Sequence, residues 1–170
     1  MKQSLMFAAL IAAILLGSCS KEDRDGNGDL VISGINVAGT WALIGDVWDS
    51  SLYYDDNDEL HCTWQEGQKV EDLIVFTSNT IRMYSPTDEW CERWSDEGIF
   101  DWGFRFSNGY MQDCSMADFV EDDELKFSIE GGRLYVSGVH IDLRFEGNDI
   151  ITWYDEGEAY KRYKRVKGFK

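Results

Sequence analysis

Cysteine, histidine, clustered carboxylate and tryptophan are the side chains through which this chain could do chemistry. Cys62, Cys91 and Cys114 lie in its middle third, and Cys19 stands apart near the N-terminus. In an oxidising compartment two of the three central thiols can join. Cys91 is the favoured partner, bonded to either Cys62 or Cys114; the other reading keeps all three buried and reduced. His61 beside Cys62 suggests zinc, but there is no Cys-x-x-Cys spacing and oxidation would consume the thiolates, so no metal is expected. His140 alternates with Asp142 and Arg144 and reads as a surface residue. Asp23-Arg24-Asp25-Gly26-Asn27-Gly28 matches the first half of a calcium loop, in which alternate carboxylates converge on a hard cation. The twelfth position is Gly34, where an acidic ligand is needed. Asp55-Asp56-Asn57-Asp58-Glu59 lacks the turn glycine, and both segments read as solvated acidic chain. No nucleophile elbow, His-Glu-x-x-His or phosphate-cradling loop occurs. Carboxylates are plentiful enough for an acid/base pair, but among 32 acidic residues proximity alone means little. A non-enzymatic protein without a cofactor is expected.

Seven tryptophans are many for 170 residues. An exposed indole stacks on apolar rings or sugar faces, and a buried one fills core volume. Trp64, Trp90 and Trp94 stand in polar stretches with little core to join, which makes them the best ligand candidates. Trp48, Trp102 and Trp153 read first as core, and Trp102 is the one of these that could also line a ligand cavity. The formal charge of −16 repels phosphate backbones, so nucleic acid is excluded as a partner. Basic residues gather late, as Lys161-Arg162 and Lys164-Arg165 with Lys167 and Lys170. They read as outward side chains of an edge or closing strand.

The elements that must position these residues are strands. Phe100, Trp102, Phe104 and Phe106 alternate with Ile99, Asp101, Gly103 and Arg105. Leu125, Phe127 and Ile129 alternate with Lys126, Ser128 and Glu130, and Val139, Ile141, Leu143 and Phe145 alternate with polar neighbours. Period-two alternation of this kind predicts antiparallel strands with one solvated face. Turn signals stand between them at Ser78-Asn79, Ser107-Asn108-Gly109, Gly131-Gly132 and Gly147-Asn148. Residues 71–77, 80–84, 133–137, 149–154 and 159–166 supply further strands, and Pro86 interrupts none of them. No helical periodicity is evident. A meander of about eight to ten strands closes most economically into an up-and-down barrel, which removes its edges. The expected fold is an all-β antiparallel meander closing into a small barrel.

Strand parity then places the chemistry. If a first strand over 40–48 rises from a closed end, loop 49–70, loop 86–98 and the top of a strand over 110–115 share one rim. That rim holds the three central cysteines with Trp64, Trp90 and Trp94. Loops this long in compact domains are usually functional or disordered.

At the N-terminus, Lys2, an apolar run from Leu5 to Leu16 and small residues Gly17 and Ser18 form a secretory layout too short to span a bilayer. Leu16-Gly17-Ser18-Cys19 resembles the lipobox of bacterial lipoproteins. The resemblance implies cleavage after residue 18 and acylation of Cys19, with the acyl chains anchoring the protein in a membrane. Ser20-Lys21-Glu22-Asp23 resembles the acidic export tag of Bacteroidetes-type surface lipoproteins, which implies an outer-membrane, outward-facing location. Residues 19–35 read as a flexible acidic tether, and residues 36–170 as the barrel domain.

Gly39-Thr40-Trp41 at the start of the meander resembles the Gly-x-Trp opening of lipocalins and of lipocalin-like lipoproteins. The ending Tyr160-Lys161-Arg162-Tyr163-Lys164-Arg165-Val166 resembles the basic, aromatic last strand of such domains. The resemblance implies that Gly39 lets the chain enter the barrel closely and that Trp41 plugs its closed end. It also implies a monomer that binds a small apolar or amphipathic molecule at its rim or calyx. Two alternatives stay open. One is a carbohydrate-binding lipoprotein that stacks sugars on Trp64, Trp90 and Trp94. The other is a barrel filled by its own aromatics that serves as an interaction module.

Overall fold

A computed structural model describes residues 30–98, 102–155 and 157–170. The expected signal peptide at 1–18, the expected lipidation residue Cys19, the calcium-loop resemblance at 23–28 and most of the expected tether lie outside the described residues. So do Ile99, Phe100 and Asp101.

Eight antiparallel strands close into a barrel. In chain order they are β3 (Gly39–Asp46), β7 (Leu73–Phe76), β8 (Thr80–Pro86), β11 (Phe119–Glu130), β12 (Arg133–Val136), β13 (Val139–Glu146), β14 (Ile150–Asp155) and β15 (Glu158–Arg165). Closure falls to the long β11, which pairs with β8 over its first half and with β12 over its second. β15 pairs with β3 to complete the ring. The expected all-β barrel is therefore the fold. The turn between β11 and β12 is the Gly131-Gly132 pair, with φ of 59° and 79°. Two successive positive φ values make the turn that matches strand twist, and glycine adopts them without strain.

The inward face carries Trp41, Ile74, Phe76, Ile81, Leu134, Val136, Leu143, Ile151, Trp153 and Tyr163, joined by half-buried Leu43, Met83, Leu125, Phe127, Ile129, Ile141 and Phe145. A short hairpin of β1 (Val31–Ile32) and β2 (Ile35–Asn36) supplies Leu30, Ile32, Val37 and Ala38 to the same cluster. It shuts the base of the barrel. There the Trp41 indole Nε1 donates to Val37 O at 2.9 Å. The Arg165 guanidinium lies 4.1 Å above the Trp41 ring. It donates to the carbonyls of Asn36, Ala38 and Asn148. One cation thus ties the last strand to the base hairpin and to the β13–β14 turn. Gly39 has φ 110°, and a Cβ there would meet nothing within 4 Å. Its glycine answers to backbone conformation rather than to a close approach.

The outer face of β3 and the adjoining starts of β7 and β11 are also apolar, and a second layer covers them. Ala42, Ile44, Leu73 and Phe119 from the barrel pack with Val70, Trp94, Phe104, Phe106 and Met111. This layer is a four-stranded sheet of β6 (Lys69–Val70), β9 (Phe104–Ser107), β10 (Tyr110–Met111) and β16 (Gly168–Phe169), together with helix α1 (Asp88–Asp96). A separate hairpin of β4 (Leu52–Tyr54) and β5 (Leu60–Cys62) packs beside β15.

Three expectations need correction. The segments 99–106 and 110–115 were expected as barrel strands, yet β9 and β10 belong to the covering sheet. Their aromatics bury against the outside of the wall. Loop 86–98 holds a helix, with Asp88 and Glu89 at its positive end, Arg93 in its last turn and Arg93 paired to Glu97 at 3.2 Å. Trp48, expected in the core, is 79% exposed.

Replacing Arg165 with Met keeps apolar contact with Trp41 but leaves three carbonyls without their donor. Urea denaturation of Arg165→Met is expected to show a loss of roughly 2–3 kcal/mol, the scale of hydrogen bonds to a charged group.

Candidate functional site

The barrel holds a cavity of about 380 Å³ lined by Met83, Leu125, Val136, Ile141, Trp153, Tyr154, Tyr160 and Lys161. Six strands supply these residues: β8, β11, β12, β13, β14 and β15. Val136 ends β12 and Met83 stands mid-strand, so the space lies toward the end opposite the Trp41 base. Strand alternation makes it apolar, because every second residue of 125–129 and 139–145 points inward. Leu125 and Ile141 stay only half-buried for the same reason, since they face the cavity rather than other side chains. Trp153 is buried, its ring lies tilted against Tyr163 with centroids 5.5 Å apart, and its Nε1 has no acceptor among the described residues. The volume falls in the range of ~300–1,000 Å³ typical of small-molecule sites.

The rim of this cavity is polar and aromatic. Lys161 Nζ lies 3.4 Å from Asp46 Oδ2, with both side chains largely buried. Asp46 Oδ1 accepts the amide of Trp48 at 2.9 Å, and the Trp48 indole Nε1 donates to the Tyr160 hydroxyl at 3.3 Å. From the β4–β5 hairpin, the Tyr54 hydroxyl accepts the Ala159 amide at 3.1 Å. Gly45 makes room for that hairpin, since a Cβ there would sit 3.1 Å from Cys62 Sγ. Within the hairpin, Asp55 accepts the amides of Glu59 and Asn57 and faces His61 at 3.1 Å. Those bonds hold its carboxyl down at about 2. Asp55, Glu59 and His61 could approach one cation, but the bonds among them already account for the arrangement.

A second cleft of about 240 Å³ runs beside β3, with Asp46, Asp49, Lys69, Glu71, Asp72 and Trp64 among its lining residues. The Asp72 carboxyl is pushed up by desolvation, against the pull of Lys161 and with the neighbouring Asp122 and Asp46 adding to the rise. This cleft is mostly polar, and it shares Asp46 with the rim of the barrel cavity.

The tryptophans predicted at the rim lie in the second layer, away from the barrel cavity. Trp90 and Trp94 sit one helical turn apart with ring centroids 5.8 Å apart, and each packs edge-on against Phe104. Trp90 Nε1 donates to Asp118 Oδ1 at 2.8 Å, which holds that carboxyl below its ordinary value. Trp102 leans on Trp94 at 6.3 Å, and Trp64 on Phe106 at 5.8 Å. These rings are spent on covering the outer wall. They form no coplanar platform.

The three central cysteines are free. Cys62 Sγ donates to Ile44 O at 3.0 Å on the β4–β5 side, and Cys91 Sγ lies 3.8 Å from Pro86 O on α1. Cys114 packs against the second core. The expected bridge of Cys91 to Cys62 or Cys114 is not formed: Cys62 lies on the β4–β5 side, and Cys91 and Cys114, both in the second layer, remain thiols. Burial and the adjacent Asp118 and Asp113 carboxylates push the Cys114 thiol up to about 12.

No family model, curated protein or solved structure matches this chain. None of the cavity-lining residues was separable from core by sequence: Trp153 was expected to fill the core, and Trp102, the cavity candidate, lies in the second layer. Lys161 and Asp46 were visible only as members of a basic ending and an acidic background.

Titration of the unfolded, unreduced protein with Ellman's reagent is expected to find all three central thiols. A count of one would mean that two are bridged. In the folded protein Cys114 should react far more slowly than it does unfolded, because little thiolate exists near neutrality.

Proposed function

We propose that this chain is a lipocalin-like lipoprotein that holds a small apolar or amphipathic molecule in its barrel without changing it chemically. The observation that carries the ligand part is the apolar cavity of about 380 Å³ between Met83, Leu125, Val136, Ile141 and Trp153. A barrel filled by its own aromatics would leave no such space. In this chain the aromatics that could have filled it are drawn to the outer layer instead. Glycan stacking on Trp64, Trp90 and Trp94 has less support, since those rings pack on one another and on phenylalanines.

The anchor part rests on Leu16-Gly17-Ser18-Cys19 and the charged residues that follow. On this reading Cys19 carries the acyl chains, the location is the outer membrane, and the protein is displayed outward as a monomer. Leu30 joins the base cluster beside Trp41, so a tether from Cys19 attaches at the closed end. The mouth then faces away from the anchoring membrane, toward the medium from which a ligand would come.

Two measurements test this reading. N-phenyl-1-naphthylamine, a neutral apolar fluorophore, is expected to bind at one site, and Val136→Trp, which fills the cavity, should weaken it by at least about tenfold, or 1.4 kcal/mol. Thermal unfolding should confirm that the variant remains folded, since overpacking costs about 1–3 kcal/mol. Absence of binding to the natural protein sinks the ligand part. Cys19→Ser is expected to abolish incorporation of labelled fatty acid, and unchanged labelling sinks the anchor part.

A further inference from the structure

We infer that the cavity is built for an uncharged ligand and against the anionic form of the same skeleton, with Asp46 as the residue that sets this preference. The inference rests on the cavity-binding reading above and concerns the chemistry of the ligand's polar end.

Lys161 is the one cation among the described residues lining the cavity. In walls otherwise aliphatic and aromatic, a free ammonium would be an anchor for a carboxylate head group. This ammonium is already taken. Lys161 and Asp46 are partners across the β15–β3 ladder, with Nζ 3.4 Å from Oδ2 and side chains 22% and 14% exposed. The carboxylate is held in place from its other side, because Oδ1 accepts the Trp48 amide at 2.9 Å. Asp72 adds a second carboxylate that interacts with both members of the pair.

An incoming carboxylate therefore has two routes, and both are unfavourable. It can displace Asp46 from Lys161, which strands a mostly buried carboxylate without its cation. Otherwise it must settle beside Asp46 and Asp72 with only one ammonium among three negative groups. An ester, ketone or amide meets neither cost and still finds donors at the rim. The formal charge of −16 adds a long-range term of the same sign.

Asp46→Asn separates the two jobs of this side chain. The amide oxygen can still accept from Trp48, while the amide nitrogen replaces the oxygen that held Lys161. The measurement is the affinity of methyl decanoate and of decanoate for the purified full chain at neutral pH, by competition with N-phenyl-1-naphthylamine. The natural protein is expected to bind the ester at least about tenfold tighter than the acid. Asp46→Asn should raise the affinity for decanoate by a similar factor and so bring the ester-to-acid ratio close to one. Equal affinities in the natural protein, or a tighter acid, would overturn the inference while the cavity reading stands. Failure of both compounds, and of the fluorophore itself, would overturn the cavity reading. Should Asp46→Asn fail to fold, Asp46→Ser, which keeps Lys161 and removes the negative charge, serves in its place. It is expected to narrow the preference for the ester over the acid, and an unchanged ratio would overturn the role of Asp46.

Discussion

The barrel wall along β3, continued by Leu73 at the start of β7 and Phe119 at the start of β11, is apolar on both faces, and this constraint organises the molecule. Along β3, Trp41 and Leu43 point into the barrel while Ala42 and Ile44 point out, and three of these four are buried. The outward set extends through Leu73 and Phe119. Left uncovered, it would expose apolar surface at about 25 cal/mol per Å² and invite association. The two long excursions between barrel strands and the C-terminal tail are what cover it. β6, β9, β10 and β16 lie over the wall, and α1 adds Trp94 at the margin. Loops that looked free to form a ligand rim are committed to a second core.

That commitment explains why the cavity exists where it does. Phe104, Phe106, Trp90 and Trp94 contribute bulk outside the barrel, so the interior toward its mouth is lined by Met83, Leu125, Val136 and Ile141 with Trp153 alone among the indoles. The base is treated differently. Trp41, Phe76 and the Leu30–Ala38 segment pack it solid, and Arg165 closes it with hydrogen bonds to three carbonyls. Solid base and hollow mouth give the barrel a direction. The ion pair of Asp46 and Lys161 sits where the two regimes meet the rim, on the strands that join the ring.

Much of this architecture was legible in residue order. The alternations at 125–129 and 139–145, and the Gly131-Gly132 turn, appear in the structure as strands and a tight hairpin. The first and last barrel strands, opening at Gly39-Trp41 and closing with the basic segment, become neighbours in the β15–β3 pair. Helix α1 was missed because it is short and mean polarity hid its pattern. Its signal was present in Trp90 and Trp94 at spacing four, Arg93 and Glu97 at the same spacing, and acidic residues in the first turn. The strands at 104–107 and 110–111 were legible as strands, but nothing in their alternation distinguishes burial against the outside of a wall from burial within it.

Residue order by itself determined the strand content, the turns, the acidic surface and the lipobox-like start, because each depends on local periodicity or on a contiguous motif. Only the tertiary structure decided which apolar face each strand turns to which core, that the rim tryptophans are spent on packing, and that Lys161 finds Asp46. Those outcomes depend on register between strands far apart in the chain. An inward and an outward core have the same period of two, so alternation cannot tell them apart until the ring closes.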